Sequence, residues 1–175
     1  MKIFAETERL ILRELVAADE EGLFAVDSDP DVNTYLGNNP VKNIQQTKDI
    51  IQFIRNQYIE NGIGRWAMIE KNTHNFIGWT GLKLVKELTN NHNNYYDLGY
   101  RLNKNYWGKG FATEAAKASV DYGINQLNLK DIYAIADMNN IASKKVLEKV
   151  GLKFIETFNL EGTPHGWFHL KLSKG

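Results

Sequence analysis

The sequence predicts an α/β domain of the α+β kind, built around one central mixed sheet with helices on its faces. Three observations predict it. Strand-period and helix-period apolar patterns alternate along the chain, and most strands follow one another directly. One strand–helix–strand crossover occurs after residue 95, which calls for a parallel pair within the sheet. No repeat, low-complexity tract or Pro/Gly/Ser linker divides the 175 residues, a length at which a single domain buries a sizeable core. The expected unit is one domain over 1–175.

Each element has its own warrant. Residues 9–15 alternate enough for a strand. Residues 17–28 read as a short helix that ends in a turn at Asp29, Pro30 and Asp31. From 44 to 59, Ile50, Ile51, Ile54 and Tyr58 recur at helical spacing, and Asn61 with Gly62 stops the pattern. Residues 65–71 and 75–85 read as two strands joined by a polar turn, and 90–94 as a loop. A strand follows to Leu102, then a loop with Gly108 and Gly110, a helix over 111–127, a strand over 132–137 and a helix over 141–150. Gly151 stands where a helix of this kind is closed by a left-handed residue. Strands over 153–158 and 167–172 complete the order.

Composition narrows the function classes. Lys plus Arg and Asp plus Glu are both 21, so bulk charge gives no reason to expect a nucleic-acid or anionic-membrane binder. There is no cysteine, hence no disulfide framework, thiolate metal site or cysteine nucleophile. The first residues turn acidic before any apolar stretch forms, unlike a secretory signal, and no apolar run approaches a membrane span. The default expectation is a cytoplasmic protein, monomeric or homodimeric.

The loop carries the chemistry. A glycine loop opening a helix lets the backbone approach an anion and aims unpaired N–H groups at it, with the helix dipole in support. A Walker loop fails here because Gly110 is followed by Phe111 rather than by Lys and Ser/Thr. A dinucleotide fingerprint fits poorly, since five residues separate Leu102 from Gly108 and the preceding chain lacks repeated strand–helix units. The run Asn105, Tyr106, Trp107, Gly108, Lys109, Gly110 instead resembles the acyl-coenzyme A pyrophosphate loop of the GNAT superfamily of N-acetyltransferases, most nearly the RimJ/RimL-like branch. The likeness continues through Asp97, Leu98, Gly99 and Tyr100 before the loop and Phe111 to Ala115 after it. It includes a second motif from Asn140 through Ser143 to Gly151 and Leu152, and an opening motif at Glu8, Arg9, Leu10 and Arg13. One position departs: the family's loop usually opens with Gln or Arg, and Asn105 stands there with less reach.

The resemblance implies a mostly antiparallel sheet in which a bulged strand at Gly99 splays from its neighbour, with the thioester arm of acetyl-coenzyme A in the gap. It places backbone donors of Tyr100, Arg101 and Leu102 beside that arm, and Asn105, Gly108, Lys109, Gly110, Phe111 and Ala112 around the phosphates. Asn140 would bond the pantetheine amides, though helix N-capping is an equally good role. The helix stripe of Ala112, Ala115, Ala116, Ser119 and Gly123 would let 111–127 lie close to the sheet.

An acetyl thioester is already activated, so an amine can attack it directly, leaving the protein to position the amine, accept its proton and stabilise charge on the oxygen and sulfur. By resemblance, Ser143 is the candidate donor to the sulfur, and Asp97, ahead of the strand's glycine, is the first candidate base. Glu70, Asp137, His165 and ordered water stay open. Residues 30–36 would line the amine entrance. The implied activity is acetyl-coenzyme A-dependent acetylation of a primary amine, either a protein N-terminal α-amine or a small molecule; an acyl-coenzyme A-binding regulatory domain without turnover is the alternative. No metal is expected. His165 and His169 on one strand stand about 13 Å apart, and Asp27, Asp29 and Asp31 mimic a calcium loop that Pro30 interrupts.

Overall fold

The computed structural model describes residues 1–172; the last three residues of the expected domain, 173–175, lie outside the described part. Eight strands form one sheet in the order β1-β2-β3-β4-β5-β6-β8-β7. They are β1 (Ile3–Glu6), β2 (Leu10–Glu14), β3 (Trp66–Glu70), β4 (Phe76–Val85), β5 (Tyr95–Leu102), β6 (Asp131–Asp137), β7 (Lys153–Leu160) and β8 (Thr163–Lys171). Every neighbouring pair is antiparallel except β5–β6, the pair made by the crossover. The helices are α1 (Glu20–Asp27), α2 (Pro30–Asn33), α3 (Ile44–Asn61), α4 (Phe111–Asn125) and α5 (Ile141–Lys149).

Strand alternation sorts the core onto two faces. Leu10, Leu12, Trp66 and Met68 point to one face, where they meet Phe111, Ala115, Ala116 and Val120 of α4 and Leu147 of α5. Ala67 and Ile69 point to the other and pack with Leu23 of α1 and Ile51 and Ile54 of α3. The small-residue stripe of α4 does what its spacing suggested. A Cβ at Gly123 would stand 2.8 Å from Leu82, so the helix lies against β4 with no room to spare.

Several boundaries differ from the sequence reading. β1 was not anticipated: its four residues are too few to show a period, and the strand forms because β2 offers an edge and Phe4 stacks on Trp66 at 4.8 Å. The expected helix over 17–28 begins as a 3-10 turn, Ala17–Asp19. The expected turn at Asp29 winds into α2, with Asp29 accepting from the Asp31 N–H at 2.9 Å and Pro30 in the first turn. β8 starts at Thr163 rather than 167, because Glu161 and Gly162 both take positive φ and close a tight hairpin on β7.

The divergence of strands falls at β5. Its ladder with β4 keeps register from Gly78↔Leu102 through Gly81↔Gly99 to Val85↔Tyr95. Against β6 the one register pair among the described residues is Asp97↔Tyr133. The irregularity is therefore on the β6 side of β5, and past Asp97 the two strands part.

Candidate active site

The loop after β5 is held from several sides. Asn103 accepts from the Asn105 N–H at 3.0 Å, and the Trp107 indole N–H donates to the Leu102 carbonyl at 2.9 Å. Gly108 and Gly110 have φ of +73° and +82°, left-handed values that glycine adopts freely. Gly110 caps α4, and the first helical N–H to bond back is that of Glu114, to the Gly110 carbonyl at 3.1 Å. The N–H groups of Phe111, Ala112 and Thr113 thus open a 15-residue helix with no acceptor among the described residues.

Arg9 braces this loop from β2's approach, which gives the opening motif its structural reason. Its guanidinium donates to the Lys109 carbonyl at 2.8 Å and to Glu114 Oε2 at 2.7 Å, and stacks 4.1 Å over the Phe111 ring. Glu114 Oε1 also accepts from the Thr7 hydroxyl at 2.6 Å and the Arg9 N–H at 2.9 Å. Partial burial alone would raise the Glu114 carboxyl, but the bonds from Thr7 and Arg9 and the Arg9 charge outweigh it and hold the group below its ordinary value.

A cleft of about 730 Å³ opens above the loop. Its walls are Tyr100, Arg101 and Leu102 of β5, the loop and first turn at Trp107, Gly108 and Gly110 to Thr113, the α5 residues Ala142, Ser143, Val146 and Lys149 with Asn140, and Asp31, Val32, Thr34, Tyr35 and Leu36. Within it Tyr100 and Ser143 meet. The Tyr100 hydroxyl donates to the Ser143 carbonyl at 2.9 Å and stands 3.0 Å from Ser143 Oγ. Burial pushes the Tyr100 phenol up, further than its bond with Ser143 draws it down, so it stays protonated. Asn140 caps α5, its side-chain oxygen accepting from the Ser143 N–H at 3.1 Å.

On the opposite face of β5, Arg65 donates to Asp97 Oδ2 at 2.5 Å and to the carbonyls of Asp97 and Gly81 at 2.7 and 2.6 Å. A Cβ on Gly99 would stand 2.6 Å from that guanidinium. Gly99 is thus a close-approach glycine, and what approaches is Arg65. The Arg65 charge, with burial, also draws the neighbouring Lys83 ammonium down.

The fold therefore gathers Tyr100, Arg101, Leu102, Gly108, Gly110, Phe111, Ala112, Asn140 and Ser143 around one cleft. Three expected site residues stand apart. Asp97 is turned to Arg65 and is absent from the lining. Asn105 and Lys109 are exposed outside it, with the Lys109 ammonium 5.5 Å over the Tyr106 ring and its carbonyl taken by Arg9. Asp27, Asp29 and Asp31 pair with Arg101 and Lys104 rather than with one another's ligand. The residues that sequence reasoning missed are the Tyr100 hydroxyl, Arg65 and Lys149. Tyr100 enters the sequence reading through its backbone alone, Arg65 lies in no motif, and Lys149 lies within the 140–152 motif but carries no expected role there. No helix among the described residues is long and apolar enough to cross a membrane.

A glycine-opened helix and a hydroxyl pair thus share one cleft beside the end of the β5–β6 pairing. Residues 9–153 match the sequence model of the Acetyltransferase (GNAT) domain. The chain belongs to the GNAT family of N-acetyltransferases, in its RimJ/RimL-like branch, whose enzymes use acetyl-coenzyme A. The N-acetyltransferase p20 of Bacillus licheniformis is 35% identical over 147 residues, covering 84% of this chain and 80% of that protein. In fold, the chain is similar to RimL, a ribosomal L7/L12 α-N-protein acetyltransferase in complex with coenzyme A. That likeness has a TM-score of 0.81 at 15% identity, over 98% of each chain. It is also similar to spermidine N-acetyltransferase from Vibrio cholerae in complex with coenzyme A and spermine, with a TM-score of 0.75 at 20% identity over 94% and 96%.

Proposed function

We propose that this chain transfers an acetyl group directly from acetyl-coenzyme A to a primary amine within the cleft between β5, the α4 loop and α5. The observation that carries the reading is that one cleft holds both the free N–H groups of 111–113 and the Tyr100–Ser143 hydroxyl pair, at the point where β5 leaves β6.

The residues present fit the donor. Unpaired N–H groups at a helix start, with two left-handed glycines before them, suit a pyrophosphate. The β5 segment past Asp97 is released from β6, so its edge toward β6 is free to bond an amide-bearing arm. The Asn140 amide N–H₂ remains for the same arm, since its oxygen is used by the Ser143 N–H. Bound there, acetyl-coenzyme A supplies an activated thioester carbonyl.

The protein's own groups then do three things. The walls at 31–36 and β5 hold the amine near the carbonyl. The hydroxyl pair donates: Tyr100 gives its one proton to the Ser143 carbonyl, and the Ser143 hydroxyl, 3.0 Å from the Tyr100 oxygen, is free to turn its own proton from that oxygen into the cleft toward the sulfur. Tyr100, kept protonated by burial, serves as donor rather than base. Asp97 is turned to Arg65 and away from the cleft lining, so it can take the amine's proton only by way of water, the route that the Asp97→Asn pH–rate profile tests.

The test is a titration of acetyl-coenzyme A followed by a thiol-release assay with amines. Stoichiometric binding, a higher melting temperature than with NAD or ATP, and amine-dependent thiol release are expected. Binding without release on any amine would instead make this a sensing domain.

A further inference from the structure

We infer that the acceptor is a primary amine on an apolar or aromatic body that carries no second cationic group. This rests on the acetyl-transfer reading above and adds the chemical class of its acceptor.

The acceptor side of the cleft is apolar where it is open. Tyr35 and Leu36 line it with 40% and 39% of their surface exposed, beside the buried Val32. Large apolar side chains left in water at the rim of a cavity gain by covering a ligand's apolar surface. The charged groups tell the other half. Asp31 lines this wall, Asp27 and Asp29 flank it in sequence, and each of the three already has a cation from the protein. Asp27 is 2.9 Å from Arg101, and Lys104 is 3.5 Å from Asp29 and 3.1 Å from Asp31. A polyamine needs free carboxylates spaced along its length. Here its distal ammonium groups would meet Arg101 and Lys149, both lining the cleft, the latter with no carboxylate partner among the described residues, while Lys104 is held on Asp29 and Asp31. With Lys149 counted, Asp27, Asp29 and Asp31 are balanced by Arg101, Lys104 and Lys149, which leaves no excess negative charge to hold a second ammonium.

The experiment compares kcat/KM for 2-phenylethylamine, spermidine and an N-terminal alanyl tripeptide at saturating acetyl-coenzyme A, with the affinity for acetyl-coenzyme A measured separately by titration. Phenylethylamine is expected to exceed both others by at least tenfold. Tyr35→Ala and Leu36→Ala are each expected to lower its kcat/KM several-fold while leaving acetyl-coenzyme A affinity within twofold. Lys104→Ala frees Asp29 and Asp31 and is expected to raise kcat/KM for spermidine. A parent enzyme that binds acetyl-coenzyme A and prefers spermidine or the tripeptide overturns the inference and leaves acetyl transfer standing. Failure to bind acetyl-coenzyme A overturns both, whereas binding with no acetylation of phenylethylamine overturns this inference and leaves acetyl transfer to the wider amine assay.

Discussion

Arg65 and Asp97 meet at 2.5 Å at the last residue that still joins β5 to β6. Both are nine-tenths buried, and the same guanidinium bonds the Asp97 carbonyl and the Gly81 carbonyl across the β4–β5 ladder. The pair thus pins β5 to β4 on one side of the parting, so that beyond it β5 can leave β6 without losing its place. Gly99 is the residue that makes room for the pin.

Asp97→Asn leaves a buried guanidinium without its counter-charge. Stability is expected to fall by about 3–5 kcal/mol, the usual cost of breaking a buried pair from one side, read as a lower urea midpoint. If Asp97 also accepts the amine's proton, the rate falls at neutral pH and recovers in part at high pH, where the amine loses its proton unaided. A pH–rate profile parallel to the parent's would leave Asp97 as scaffold alone.

Ser143→Ala is expected to lower kcat more than acetyl-coenzyme A affinity, because a donor to the sulfur matters mainly in the transition state. Tyr100→Phe should act in the same direction, and the double variant should lose less than the sum of the two, as members of one hydrogen-bonded pair do. With the phenol held above its ordinary 10.0, no Tyr100 limb should appear in the rate profile below that pH. Weaker binding with kcat unchanged would assign Ser143 to cofactor contact.

Glu114 makes the loop brace acid-sensitive. Its folded-state carboxyl lies below its ordinary 4.5, so its stabilisation is complete above that pH and is lost as pH falls through the lower, folded value. Glu114→Gln should therefore flatten the acid limb of melting temperature against pH. It should also weaken acetyl-coenzyme A binding, because Arg9 would lose the ion pair that helps to hold it against the Lys109 carbonyl and the Phe111 ring. An acid limb identical to the parent's would show that the brace contributes nothing to folding.

Gly110→Val places a β-branched residue at a φ of +82°, a strain of about 1–2 kcal/mol. The position is exposed at the surface, so circular dichroism should match the parent. Acetyl-coenzyme A affinity should fall at least tenfold, about 1.4 kcal/mol. Asn105→Gln, outside the cleft lining, should change affinity by less than twofold. A large gain from Asn105→Gln would mean that the loop closes further over the phosphates than it does here.

The loop and most elements were legible because their signals are local. Gly108 and Gly110 announce a turn into a helix, and Asn140 and Gly151 bracket α5 within a dozen residues. What could not be read were relations across the sheet. That Arg65 would sit under Gly99, or that Arg9 would reach Lys109 and Glu114 a hundred residues on, depends on strand order and register, which no window of sequence contains. The Tyr100 hydroxyl was missed for the same reason: its partner Ser143 is 43 residues away on α5. β1 gave no period in four residues, and Asp97, set by motif position alone, turned to a partner that the motif does not include.

The measurement that bears most directly on acetyl transfer in this cleft is a single-turnover reaction with acetyl-labelled coenzyme A. Enzyme in excess is mixed with the labelled donor, with and without amine, then quenched and separated. Without amine the label should stay on coenzyme A and none should appear on the protein. With amine, labelled N-acetyl product and free thiol should appear in equal amounts, and Ser143→Ala should slow both together. Label that accumulates on the protein before reaching the amine would contradict direct transfer, and a bound donor that never yields thiol would contradict the acetyl-transfer reading itself.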